Sequence, residues 1–195
     1  MFEIYALPYA QRRNREVLIM HRPPQYKAVA PEVIARAYKI EYKPVKSDVE
    51  IPDGYDFYII LGSGILSADF VRGKKIINCH PGILPAVRGL DALKWTIYEM
   101  KPLGVTLHYI DEEVDSGEII SVVQTPVFLT DDLETLARRH YENEIWVLSN
   151  FQEYLSNPVN PFSGLDSEPP HRRMPLSIEK EMIRKFEEWK NKYSL

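Results

Sequence analysis

The stretch DFYIILGSGILSADFVRGKKIINCH, residues 56–80, decides the fold. Asp56 to Leu61 is an almost continuous apolar run, the pattern of a strand buried on both faces, and it ends at Gly62-Ser63-Gly64. Ser67 is placed to cap a short helix carrying Phe70 and Val71, and Lys75 to Cys79 returns as a second strand. A strand, a helix and a strand in this order build a parallel pair with a helix on its face. Asn78 and His80 then stand where a strand runs out into a loop, the usual location of ligand-binding groups in open α/β sheets.

Reading outward extends the same alternation. Upstream, Val17-Leu18-Ile19-Met20 is a buried-strand candidate, a helix opens near Pro31 with Val33, Ile34, Ala37 and Tyr38, and Ile40 to Val45 is the next strand. Downstream, Leu90 to Met100 has helical spacing, and Gly104 to Ile110 and Glu118 to Val127 read as two strands around an acidic turn containing Asp115. A long helix is expected from about Asp132 to Leu155, because Leu133, Leu136, His140, Ile145, Leu148, Phe151 and Leu155 recur mostly three or four residues apart. Five prolines between Ser156 and Pro175 mark a connector, after which Ser177 is expected to cap a last helix through Met182, Ile183, Phe186, Trp189 and Tyr193. The fold class is therefore α/β, a mostly parallel sheet flanked by helices. Residues 1–155 form the main domain, and 156–195 a short helical extension packing on it.

A chain of 195 residues with 45% apolar residues suits one core. The net charge of −4 argues against a nucleic-acid footprint, which needs an excess of Lys and Arg. Cys79 is the single cysteine, so neither an intramolecular disulfide nor a cysteine metal cage can form, in keeping with a reducing compartment. No run approaches the ~18 apolar residues of a membrane span, and Met1-Phe2-Glu3-Ile4 does not open a signal peptide, so the expected location is cytoplasmic.

Asn78, His80 and, 35 residues later, Asp115 supply an amide, an imidazole and a carboxylate. These are the parts needed to move an acyl group onto an amine: a donor for the oxyanion, a proton carrier, and a charge that sets the carrier's state. His108 sits within a strand, where a structural hydrogen-bonding role is the plainer expectation. His21, His140 and His171 have no partner at ligand spacing, so no metal site is expected. Cys79 should point to the opposite face of its strand from Asn78 and His80, as a core thiol.

Asn78-Cys79-His80-Pro81, Leu84-Pro85, Arg88-Gly89, Gly104-Val105-Thr106 and Asp115-Ser116-Gly117, in this order, resemble the catalytic domain of the formyltransferases that use 10-formyltetrahydrofolate. The resemblance covers roughly residues 40 to 126 and implies a Rossmann-like sheet, with Asn78, His80 and Asp115 as the catalytic set. It implies a folate pocket at Leu61, Gly62, Ser63, Gly64, Ile65 and Leu66, together with the turn holding Asp111 and Val114. The two glycines would let a flat ring approach the main chain closely. Arg88-Gly89 could hold an anionic group of the acceptor, or Arg88 could pair with Asp91; the purine branch of the family also carries a histidine at the place of His108.

The resemblance also sorts the acceptors. No glycine precedes Gly54, so the glycine-built phosphate cradle of the glycinamide ribonucleotide branch has no evident counterpart. The 69 residues after Pro126 are too few and too helical for the basic β-barrel of the methionyl-tRNA branch. The expected acceptor is thus the primary amine of a small molecule, an aminosugar nucleotide before the other two, with Arg12, Arg13, Arg15, His21 and Arg22 as either phosphate contacts or a solvated basic run. Two other classes stay open: a 10-formyltetrahydrofolate hydrolase, and a folate or nucleotide-sugar binder without turnover. The resemblance implies 10-formyltetrahydrofolate as co-substrate; no metal and no membrane partner are expected, and a homodimer is left open.

Overall fold

The computed structural model describes residues 2–7, 29–62, 64–162 and 164–195. The elements run β1 (Glu3–Ala6), α1 (Pro31–Tyr38), β2 (Glu41–Pro44), β3 (Tyr58–Ile59), α2 (Ala68–Val71), β4 (Ile76–His80), α3 (Ala92–Tyr98), β5 (Gly104–Tyr109), β6 (Ile119–Gln124), α4 (Leu133–Ser149), α5 (Phe151–Ser156) and α6 (Leu176–Tyr193). The strand candidate Val17–Met20, Ser63, and the basic residues Arg12, Arg13, Arg15, His21 and Arg22 lie outside the described residues.

The architecture is α/β, as expected, and its strand pairing is mixed. β1 pairs with β2 and β3 with β4 in parallel, while β4–β5 and β5–β6 are antiparallel, in the order β3-β4-β5-β6. The connection from Tyr109 to Ile119 is too short to hold a crossover helix, so β6 can only return antiparallel. Because β3 and β4 are parallel, the loops after Ile59 and after His80 leave the sheet at the same edge.

Several sequence expectations shift in detail. β1 was not foreseen, since four residues of mixed polarity carry little signal. The apolar run Asp56–Leu61 keeps only Tyr58–Ile59 as ladder, and the helix expected to Leu155 breaks at Asn150. There the backbone leaves helical geometry and the Asn150 side chain donates to the Trp146 carbonyl at 2.8 Å, which ends the turn. Ser67 does cap α2, accepting from the Phe70 amide. Ser177 does not cap α6; the helix starts two residues earlier than that cap would place it, with Pro175 at the cap position, and Ser177 falls in its first turn.

Two clusters fix the sheet edge. Ile77, Cys79, Val105, Leu107 and Val147 pack β4 and β5 onto α4. The larger cluster joins Leu93 and Ile97 of α3, Leu136 and Ala137 of α4, and Met182, Phe186 and Trp189 of α6. The last helix is therefore part of the core: Trp189 is fully buried, and losing such a side chain costs about 3–5 kcal/mol. Lys94 of α3 and Glu179 of α6 form a buried ion pair at 2.6 Å across this contact.

Candidate active site

Alternation along β4 sends Ile77 and Cys79 into the α4 cluster and Asn78 and His80 to the other face. On the neighbouring strand, Leu107 packs with Ile77 and Cys79, so Thr106 and His108 share the face of Asn78 and His80. The register sets Asn78 opposite His108 and His80 opposite Thr106. Four polar side chains thus come together from two strands by the geometry of the pleat alone.

The hydrogen bonds define their states. His108 Nδ1 lies 2.9 Å from the Tyr109 carbonyl, which can only accept, so Nδ1 carries the hydrogen and Nε2 is an acceptor. Asn78 Nδ2 lies 3.3 Å from that Nε2 and donates to it, which orients the amide. His108 is 1% exposed, and burial, with the charge of His80 beside it, lowers its pKa from 6.5 to about 4. It is neutral at pH 7, the state in which it can accept from Asn78. His80 Nε2 donates to the Val87 carbonyl at 2.8 Å, leaving Nδ1 facing Asp115 Oδ2 at 3.4 Å. Asp115 Oδ1 lies 3.9 Å from His108 Nε2. The carboxylate, on a side chain 15% exposed, therefore stands between two imidazoles.

Loops hold this set in place. Thr106 Oγ1 donates to the Gly82 carbonyl at 2.7 Å and accepts from the Leu84 amide at 3.0 Å, which pins the segment that returns Val87 over His80. A Cβ at Gly82 would lie 2.7 Å from the Val87 oxygen and 2.9 Å from His80 Nε2, so only glycine admits this return. Asp115 has φ 49°, a left-handed backbone tolerated by aspartate, and the Gly89 amide donates to its Oδ2 at 2.8 Å. Arg88 does not pair with Asp91. Its guanidinium donates to the Val114 carbonyl at 3.0 and 2.6 Å and lies 3.8 Å from Glu113, so it braces the turn bearing Asp115. Asp91 instead accepts from the Met174 amide at 3.0 Å and lies 3.7 Å from Arg173.

Leu61 and Ile65 are 83% and 92% exposed, beside the sheet edge from which Asn78 and His80 project. Gly62 has φ 84°, and Leu66 packs inward against the cluster of Phe70, Val71 and Ile76. Asp111 accepts from the Ser116 hydroxyl at 2.8 Å and from the Glu113 amide at 3.1 Å, closing the acidic turn. A cavity of about 70 Å³ lies between Leu84, Pro85 and Arg88 on one side and Asp115, Ser116 and Gly117 on the other. Among the described residues no cluster of three His, Cys, Asp or Glu side chains is placed to hold a metal ion, and no helix is long and apolar enough to cross a membrane.

The formyl transferase family model matches residues 22–151. The chain belongs to the formyl transferase family. It is 38% identical to the phosphoribosylglycinamide formyltransferase of Bacillus subtilis over 98 residues, which is 49% of each chain. It is 31% identical to the methionyl-tRNA formyltransferase of Gloeothece citriformis over 116 residues, 56% of this chain and 35% of that one. The chain thus spans about half or less of the length of these curated relatives. Among solved structures, the formyltransferase PseJ from Anoxybacillus kamchatkensis has the same fold (TM-score 0.60, 22% identity, 81% of this chain and 94% of that one). The phosphoribosylglycinamide formyltransferase of Anaplasma phagocytophilum gives a TM-score of 0.51 at 28% identity over 70% of this chain and 75% of that one.

Sequence reasoning named Asn78, His80, His108 and Asp115, and the structure brings all four together. It did not foresee three contacts of the site. The Val87 carbonyl and the Gly89 amide are backbone groups, which no side-chain pattern reveals. His171, dismissed for want of a ligand partner, pairs through its main chain with the residues on both sides of Gly89.

Proposed function

We propose that this member of the formyl transferase family moves the formyl group of 10-formyltetrahydrofolate onto the primary amine of a small acceptor, with Asn78, His80 and Asp115 doing the chemistry. The observation that carries the reading is the convergence of an oriented amide, an imidazole and a carboxylate at one sheet edge, with Asn78 Nδ2 3.3 Å from His108 Nε2 and His80 Nδ1 3.4 Å from Asp115 Oδ2.

The second hydrogen on Asn78 Nδ2 points a neutral donor at the oxygen of the formyl group, where negative charge grows as the amine adds. One such donor is worth about 3–4 kcal/mol in the transition state. His80 donates through Nε2 to the Val87 carbonyl and turns Nδ1 to Asp115, so its protonated form places a cation beside the developing oxyanion. Asp115, directly or through a water, accepts the proton the amine must lose as the new C–N bond forms. The C–N10 bond then breaks, and N10 leaves with a proton returned from the same relay. The residues fit the folate: Leu61 and Ile65 offer exposed apolar surface to a ring, and the main chain of the Asp111–Asp115 turn offers polar groups to its edge.

Within this class we favour an aminosugar nucleotide as acceptor. Support comes from the extent of the shared architecture, since the fold agrees over 94% of PseJ, a protein solved with UDP-4,6-dideoxy-4-formamido-L-AltNAc and tetrahydrofolate. The test is a spectrophotometric panel with 10-formyltetrahydrofolate and, in turn, UDP-linked 4-amino-4,6-dideoxy sugars, glycinamide ribonucleotide and methionyl-tRNA. Turnover on the amino sugars is expected; turnover only on one of the others reassigns the acceptor. Formate release without any amine makes the chain a hydrolase, and folate binding with no turnover makes it a binder.

A further inference from the structure

The Pro-rich segment before α6 runs alongside the loop that follows the Asn-x-His motif. Glu168 N donates to the Pro85 carbonyl at 3.1 Å, His171 N to the Arg88 carbonyl at 2.9 Å, and Leu90 N to the His171 carbonyl at 2.9 Å. The Arg172 carbonyl accepts from Trp95 Nε1 at 2.9 Å, and the Met174 amide reaches Asp91 at 3.0 Å. The central part is a one-residue parallel bridge between Gly89 and His171. In such a bridge the groups flanking the paired residue bond to the partner, and the paired residue's own N–H points to the opposite side. Here that N–H belongs to Gly89, and on the opposite side stands Asp115 Oδ2 at 2.8 Å.

The approach is close. Gly89 has φ 87°, and a Cβ there would lie 2.3 Å from the His171 oxygen and 2.6 Å from its nitrogen. His171 is held by its ring, which stacks on Trp95 at 4.4 Å between centroids and 8° between planes, with Nε2 3.1 Å from a Glu99 carboxylate oxygen. The far end is fixed by α6 in the core.

We propose that residues 168–174 act as a strap that aims the Gly89 N–H at the Asp115 carboxylate, with His171 as its clasp on Trp95. His171 touches no reacting atom; it is a positioning residue for Asp115. The inference rests on the role given to Asp115 in the proposed function. A purely structural strap would change stability when loosened and leave turnover of the folded protein alone, whereas a strap that aims a carboxylate changes the chemical step. Displacements near 1 Å at a reacting group can cost on the order of a hundredfold in rate.

The experiment compares the full chain with His171→Ala, which removes the stack, and His171→Phe, which keeps a flat ring on Trp95. It uses 10-formyltetrahydrofolate with the best acceptor of the panel and reads hydrogen exchange of the Gly89 amide by NMR. In His171→Ala we expect exchange at Gly89 to rise at least about tenfold and kcat to fall about tenfold or more, with KM for 10-formyltetrahydrofolate within about twofold. His171→Phe should recover most of both. Unchanged exchange, or unchanged kcat in a folded His171→Ala protein, overturns the proposal, as does a Phe variant no better than Ala. If His171→Ala does not fold, Gly89→Ala supplies the same comparison, its methyl pushing the strap away, and wild-type kcat in that variant overturns the proposal. Should the wild-type chain move no formyl group to any acceptor, the proposed function fails. The strap is then judged on the Gly89 amide alone: protection lost with Ala and kept with Phe supports it, and equal protection in both overturns it.

Discussion

Asp115 Oδ2 lies 3.4 Å from Nδ1 of His80, although 35 residues separate the two along the chain. The strand end delivers the imidazole, and an acidic turn braced by Arg88 delivers the carboxylate. Neither element brings the pair together alone.

If the two groups flanking His80 act in the transition state, Asn78→Ala and Asp115→Ala each lower kcat by about a hundredfold or more while leaving KM for 10-formyltetrahydrofolate near its original value. Steady-state kinetics on the purified variants checks this. A variant with wild-type turnover removes that residue from the mechanism.

His108 should remain neutral far below the range of an ordinary histidine, since burial and the His80 charge lower its pKa to about 4. The unfolded chain takes up this proton near pH 6.5 and the folded chain does not, so the fold loses stability as pH falls from 6.5 towards 4. The loss amounts to about 3 kcal/mol once both forms are protonated. Above pH 6.5 there is no effect. Imidazole titration by NMR, and urea unfolding of wild type and His108→Gln across this window, measure it; a flat difference between the two proteins contradicts the assignment.

Gly117→Ala should disrupt the turn that carries Asp115. The added methyl would fall 1.9 Å from the Tyr109 carbonyl oxygen, a backbone atom in β5 that cannot rotate away. We expect a destabilisation of at least about 2 kcal/mol and a matching loss of turnover, read as a lower urea midpoint and a lower kcat.

Breaking the buried pair between α3 and α6 should be worse than replacing it. Lys94→Met leaves Glu179, 1% exposed at its side chain, without its ammonium partner and should cost about 3–5 kcal/mol. The double change Lys94→Met with Glu179→Met should cost less than the single one. A double-mutant cycle by denaturant unfolding decides the sign, and additivity would show that the two charges do not interact.

The legible parts of the site were those written as side chains in a local pattern. Asn78 and His80 stand two apart at the end of an apolar strand, and Asp115 lies in a turn between two strand-like runs, so each could be placed from period and punctuation. The capping of α2 by Ser67 and the burial of Cys79 opposite the site follow from equally local rules. The break at Asn150 was not legible because the apolar repeat runs through it, and the cap that ends α4 uses a backbone carbonyl. By sequence Arg88 could hold an anionic group of the acceptor or pair with Asp91; in the fold it takes the Val114 carbonyl and lies near Glu113, and does not pair with Asp91.

By itself the sequence determined the α/β class, the strand end that bears Asn78 and His80, and the turn that bears Asp115. All of these are set by short-range periodicity and by residue chemistry. Only the tertiary structure decided that His108 orients the Asn78 amide, that Val87 and Gly89 complete the site with backbone groups, and that the segment around His171 reaches back to Gly89. Those contacts join residues far apart in the chain through main-chain atoms that every residue carries. Their pairing is selected by how the sheet, α3 and α6 pack together, and no local pattern encodes it.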